Sequence, residues 1–273
     1  MYKYKIVASD LDGTLFDNNA RVSEKNANAI RSLNEKGILF VPSTGRTYGD
    51  ISEELRSNEN IRYFICSNGA LVFDKETGNS IKNGIDGDLL KKALDILYEY
   101  DVHISIRTDG VAVTDATKYS DKAFLDYNLC PAHIDVLKNF AKPIEGFKEF
   151  AYKVQNAEAL STFYKSIDDL FECQRRLNAL GGLWAVRQFE YNLDVCNSST
   201  SKGDALMALA DLLGIDRAAT IGVGDNDNDI SLIEAAGIGL AVSNSSENLK
   251  MLANKIICSN EEGAIDYIDK NYF

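Results

Sequence analysis

Positive charge is in short supply in this chain. Against 41 acidic residues it sets 29 lysines and arginines, a formal net charge of -12, which argues against nucleic-acid backbones and anionic membranes as partners. An anionic ligand would have to be met by local positive charge or a metal. Cysteines are few and odd in number: Cys66, Cys130, Cys173, Cys196 and Cys258 never occur as Cys-x-x-Cys, which excludes a disulfide frame and a zinc site. No apolar run approaches membrane-spanning length, and Met1-Tyr2-Lys3-Tyr4-Lys5 leads straight into a strand, so the expected location is cytoplasmic. Proline is limited to three residues and histidine to two.

What is present is ample chain, 273 residues with 45% apolar and 26% charged content, enough for one to two domains with a sizeable core. From residue 3 to about 82 strand and helix patterns alternate. Lys5 to Ser9 reads as a strand, a helix starts at Ser23 and stops at Gly37, and Ile38 to Val41 is a continuous apolar run. A second helix is expected around Tyr48 to Ser57, a strand over Tyr63 to Cys66, and a hairpin turning near Glu76-Thr77-Gly78.

The rhythm changes from about 84 to 190. The patterns predict a helix near Asp88 to Tyr100, strands His103 to Arg107 and Val111 to Thr114, a strand near Phe150 to Val154, a helix near Leu160 to Leu170 and a hairpin around Gly181-Gly182, with Pro131 and Pro143 in loops. After about 191 the βαβ rhythm returns, with a helix Lys202 to Leu213, strands Thr220 to Val223 and Ile238 to Val242, a helix Ile230 to Ala236, and a last strand at Ile256 to Cys258. The fold class is therefore α/β, a doubly wound parallel sheet over 1–83 and 191–273 interrupted by an inserted α+β domain over 84–190.

Ligands in such sheets sit at the carboxyl ends of the strands. Three polar clusters stand there: Asp10 and Asp12 in Asp-Leu-Asp-Gly-Thr, then Thr44-Gly45-Arg46, then Gly224-Asp225-Asn226-Asp227-Asn228-Asp229. Two carboxylates about 4 Å apart repel by roughly 4 kcal/mol in a partly buried site. A shared proton, a basic partner or a cation would offset that, unless Asp-x-Asp-Gly merely closes a turn. The third cluster suits a hard cation. An EF-hand is excluded because the twelfth position counted from Asp225 is Ala236, and Mg²⁺, which takes one or two carboxylates and leaves room for a phosphate, fits better. Lys202, in Ser201-Lys202-Gly203-Asp204 at a helix start, is either an exposed lysine or part of an anion site with Thr44 and Gly45.

Four signatures in this order, Asp10 to Thr14, Thr44 to Arg46, Lys202-Gly203 and Gly224 to Asp229, resemble the haloacid dehalogenase superfamily of phosphatases, in its Cof-type branch, subfamily IIB with a C2B cap inserted after the third core strand. The resemblance implies Asp10 as nucleophile and Asp12 as general acid and base. It implies Mg²⁺ held by the Asp10 side chain, the Asp12 carbonyl and the Asp225 side chain, and phosphoryl oxygens held by Thr44, Gly45, Lys202 and Asn228. Asp229 would orient Lys202 or metal-bound water, and Arg46 would contact substrate or brace a neighbouring Asp.

The expected activity is hydrolysis of a small phosphorylated metabolite, a sugar phosphate by resemblance, through an aspartyl-phosphate. The insert would select the substrate. A phosphomutase on the same site and a non-catalytic phosphometabolite sensor are the alternatives, and nothing in the sequence fixes an oligomeric state. His103 and His133 are read as structural or surface residues, Trp184, Phe189 and Tyr191 as core, and Asn68-Gly69 as a turn that the resemblance puts near the site mouth.

Overall fold

The computed structural model describes residues 2–187 and 189–273, which divide into two compact units. Among the described residues, the first comprises 2–46, 51–81 and 201–273, and the second comprises 47–50, 82–187 and 189–200.

The first unit is built on a five-stranded, wholly parallel sheet in the order Lys255–Ile256, Ile238–Ala241, Thr220–Gly224, Ile6–Ser9, Leu39–Pro42. Strand Ile6–Ser9, between Thr220–Gly224 and Leu39–Pro42, is buried along its whole length, and successive side chains point to opposite faces. Ile6 and Ala8 join Val41, Leu206, Leu209 and Leu232 in one apolar cluster, whereas Val7, fully buried, faces the other way. Burial on both faces explains why these strands read as unbroken apolar runs.

Helix Glu24–Glu35 begins at Ser23, whose side chain accepts from the Asn26 N–H, and packs against Ala264–Tyr272. The strand Tyr63–Cys66 lies next to Leu39–Pro42 through a single parallel bridge, Ser43 to Ile65, and pairs antiparallel with Leu71–Asp74, which in turn pairs with Ser80–Lys82. The helix expected over Tyr48 to Ser57 is broken, at Ile51 and Ser52, into a turn Tyr48–Asp50 and a short helix Glu53–Ser57.

The second unit carries a six-stranded, mostly antiparallel sheet in the order Leu183–Val186, Asn192–Asn197, Ala159–Tyr164, Val102–Thr108, Val111–Asp115, Ala141–Ile144. One sheet face, with Ile104, Ile106, Leu160 and Val195, forms a core with Leu90 and Leu94 of helix Gly87–Leu97 and Leu170 and Leu177 of helix Ile167–Ala179.

Several expectations fail here. Leu160 to Leu170 is not a helix: Ala159–Tyr164 is a strand in mid-sheet, where Thr162, Phe163 and Tyr164 satisfy strand preferences, and the helix starts only at Ile167, capped by Ser166. Nor is Phe150 to Val154 a strand. Phe147–Ala151 is a helical turn that buries Phe147 and Ala151 one turn apart. Gly181 and Gly182 precede the hairpin formed by Leu183–Val186 and Asn192–Asn197 instead of closing it. Pro131 opens helix Pro131–Phe140, where its missing N–H costs nothing, and Pro143 lies in an edge strand.

Trp184 and Phe189 are exposed at 62% and 46%, contrary to the core reading, because the outermost strand turns Trp184 away from the packed face. His103 is buried, and His133 packs on Phe163 and hydrogen-bonds Ser161 Oγ at 3.1 Å. Because Asn192–Asn197 pairs with Ala159–Tyr164, the chain leaves the second unit at Thr200, ten residues beyond the boundary expected from its patterns. All five cysteines are free. Among the described residues no helix is long and apolar enough to cross a membrane.

Candidate active site

Three neighbouring parallel strands in the first unit end in the three polar clusters. Ile6–Ser9 delivers Asp10, Leu39–Pro42 delivers Thr44, Gly45 and Arg46, and Thr220–Gly224 delivers Asp225. Together with Asp12, Asn226 and Asn228 they line a cavity of about 230 Å³.

Local sequence sets the geometry. After Asp10 the chain makes one wide turn, Leu11–Leu15, in which Gly13 adopts φ +81°, and a Cβ there would overlap the Asp225 carboxylate. The Gly13 carbonyl is tied down by the Asn244 side-chain amide at 2.8 Å. On the far strand a Cβ at Gly224 would overlap the Asp229 side chain, so glycine lets that carboxylate fold back beneath its own loop. There Asp229 Oδ2 accepts the Asp225 and Asn226 N–H groups at 3.0 and 3.2 Å.

Lys202 is not the exposed lysine that its type suggests. It starts helix Lys202–Leu212, with Ser201 as N-cap, and its side chain is wholly buried. Its ammonium donates to Asp10 Oδ1 at 2.7 Å and to Asp229 Oδ1 at 2.6 Å. Both are charge-assisted bonds of short length. Neither Lys202 nor Asp229 lines the cavity; they stand behind Asp10 and Asp225. Arg46, for which substrate contact and bracing were both open, forks onto Asp12: Nε to Oδ2 at 2.9 Å and Nη2 to Oδ1 at 2.7 Å. The Asp12 side chain is 53% exposed and belongs to that pair, apart from the buried carboxylates.

Ligand atoms of Asp10, Asp225 and Asp229 lie within 4.8 Å of one another, three carboxylates around a single ammonium. Burial pushes Asp10 up to about 7 against the pull of Lys202, and Asp229 and Asp225 add to the rise. Burial, reinforced by Asp229, lifts Asp225 to about 6. Burial alone would depress the Lys202 ammonium, but Asp10 and Asp229 outweigh it and hold Lys202 above the usual lysine range. The cluster thus carries more negative charge than its one cation balances, and an all-oxygen donor set of this kind could hold a hard metal ion.

The haloacid dehalogenase-like hydrolase family matches this sequence over residues 7–268. The chain belongs to that family. It is a Cof-type member of these hydrolases, an α/β enzyme whose relatives are named phosphatases. Phosphatase YwpJ of Bacillus subtilis is 31% identical, over 98% of this chain and 99% of its own. The 5-amino-6-(5-phospho-D-ribitylamino)uracil phosphatase YitU of the same organism is 26% identical, over 98% and 97%. The solved structure of a haloacid dehalogenase-like hydrolase from B. subtilis superposes with a TM-score of 0.75 at 28% identity, over 98% of this chain and all of that one.

One polar residue of this hydrolase, Asn244, escaped the motif reading, and another, Asn68, was placed near the site mouth without a role. Asn244 follows the strand Ile238–Ala241, so the strand-end rule that found the other clusters would also have found it. Asn68, read as a turn residue, accepts a hydrogen bond from Asn228 Nδ2 at 3.2 Å.

Proposed function

We propose that this hydrolase is a Mg²⁺-dependent phosphatase that works through an aspartyl-phosphate on Asp10. The observation that carries the reading is the environment of Asp10, a carboxylate at the wall of a cavity of about 230 Å³, backed by a buried ammonium at 2.7 Å and faced by Asp225. A structural carboxylate has no use for an open wall.

Asp10 attacks phosphorus while the bond from phosphorus to the ester oxygen breaks, and Asp12 gives its proton to the departing alkoxide. Asp12 then takes a proton from the water that attacks the same phosphorus, releasing inorganic phosphate and restoring Asp10. Arg46 keeps the Asp12 carboxyl in one orientation through its two-pronged contact. Lys202 holds Asp10 in place, and with Thr44, the Gly45 N–H and Asn228 it balances charge on the phosphoryl oxygens. Asp229 in turn orients Lys202. Asp10, Asp225 and the Asp12 carbonyl would hold Mg²⁺, which when bound supplies Lewis-acid neutralisation of phosphoryl charge. Phosphate monoesters hydrolyse so slowly unaided that positioning and neutralisation together must supply on the order of 20 kcal/mol.

The substrate class we infer is a small metabolite with a phosphorylated sugar or polyol. In support, a 26% identical relative is named for a phosphoribityl compound. The inserted unit, 47–50 and 82–200, is proposed as the cap that selects the leaving group, and the cytoplasm as the place of action. The test is Asp10→Asn assayed for phosphate release from p-nitrophenyl phosphate in Mg²⁺. Turnover is expected to vanish in the variant and persist in the native protein; undiminished turnover in Asp10→Asn overturns the mechanism.

A further inference from the structure

Ser67 and Asn68 are consecutive non-glycine residues with φ +51° and +54°, followed by Gly69 at +102°. A run of three left-handed residues is unfavourable for ordinary side chains and persists only where its surroundings over-determine it. They do so here. The Ser67 N–H donates to the Arg46 carbonyl at 2.8 Å, the Asn68 N–H to the Thr44 carbonyl at 3.0 Å, and the Thr44 N–H to the Ile65 carbonyl at 2.9 Å. The bend after Tyr63–Cys66 is thereby stitched to the Thr44–Arg46 segment along its backbone.

Its side chain makes the more informative contacts. Asn68 Oδ1 accepts from Asn228 Nδ2 at 3.2 Å. The same carboxamide lies against Gly45, where a Cβ would come within 3.2 Å of Oδ1 and 3.3 Å of Nδ2. One amide therefore touches both segments to which phosphoryl binding is assigned above, Thr44–Gly45 from one strand end and Asn228 from another. A residue chosen only for its backbone would be glycine, which adopts this conformation freely. Asparagine tolerates it and adds a polar group at the point where the two segments meet.

We propose that Asn68 is a positioning residue of the phosphate cradle. Its Oδ1 fixes the rotamer of the Asn228 amide where that segment meets Gly45. The proposal rests on the phosphatase reading for what the cradle holds, and on this geometry alone for how the cradle is held.

The variant Asn68→Gly separates the two roles, because glycine keeps the left-handed bend and removes only the amide. Inorganic phosphate binding is measured by calorimetry in Mg²⁺, kcat and KM with p-nitrophenyl phosphate, and the thermal midpoint without ligand. The expected result is about a tenfold loss of phosphate affinity and of kcat/KM with an unchanged midpoint. In an Asn228→Ala background, Asn68→Gly is expected to add nothing further, since the group it positions is gone. Phosphate affinity within twofold of native in Asn68→Gly, losses that multiply in the double variant, or a native protein that binds no phosphate would each overturn the proposal. Phosphate binding without turnover in the native protein would sink the phosphatase reading while leaving the affinity comparison to decide the role of Asn68.

Discussion

Lys202 in the first unit and His103 in the second are both fully buried nitrogen bases, and their surroundings treat them in opposite ways. The Lys202 ammonium sits between two carboxylates at 2.7 and 2.6 Å and is held charged. His103 sits edge-on to Phe124 and Tyr127, and neither ring nitrogen has a partner among the described residues. Burial, helped by nearby Lys118, pushes His103 down to about 4, so it is neutral at physiological pH. Burial is alike in the two places, and the neighbours decide the charge. A fully buried ion pair adds little to stability compared with an apolar replacement. Its retention in the first unit fits the proposed chemistry, which uses a charged Asp10, whereas His103 in the second unit is buried as a neutral ring.

Removing one side of the ionic centre should give the largest effect on folding. Lys202→Met leaves Asp10 and Asp229 buried without their counter-charge, and a destabilisation of about 3–5 kcal/mol is expected in urea unfolding with metal chelated. A loss below about 1 kcal/mol would break the contrast with His103.

The next effect is the part of the pH dependence that His103 contributes. With its pKa near 4 when folded and near 6.5 when unfolded, His103 binds fewer protons in the folded state throughout that window. Stability from this residue is therefore complete above about pH 6.5 and is lost as pH falls toward 4, by on the order of 3 kcal/mol. His103→Leu should flatten that part of the stability profile relative to the native protein, and equal profiles from pH 7 to 4 would show that His103 does not carry it.

The smallest folding effect belongs to the exposed pair. Arg46→Ala removes a contact whose side chains are 37% and 53% exposed, so a stability change of about 1 kcal/mol or less is expected. Turnover should nevertheless fall, because Asp12 loses the fork that orients it. A large stability loss with full activity would reverse the assignment.

Much of the first unit was legible in its sequence because local and global preferences agree there. Ile6 to Ser9, Leu39 to Pro42 and Thr220 to Gly224 are apolar runs that only a sheet covered on both faces can bury, and each ends at a polar cluster. The second unit was read less well. In Ala159–Tyr164 the cross-strand pairing on either side decided the structure, and a helical reading of Leu160 onward had no means of sensing those partners. Trp184 was misplaced for a related reason, since an aromatic at a strand edge faces solvent or core according to which face its sheet packs.

Taken alone, the sequence determined the order of strands and helices around the parallel sheet and the identity of Asp10, Thr44, Lys202 and Asp225 as residues at strand or helix ends. Residue type and spacing suffice for that, because periodicity and chain direction are local properties. Only the tertiary structure decided that Lys202 lies behind Asp10 with Asp229, that Arg46 belongs to Asp12, and that Asn68 reaches Asn228 across 160 residues of chain. Those are choices among partners of like chemistry, and they are settled by which backbone segments the packed core brings within hydrogen-bond reach.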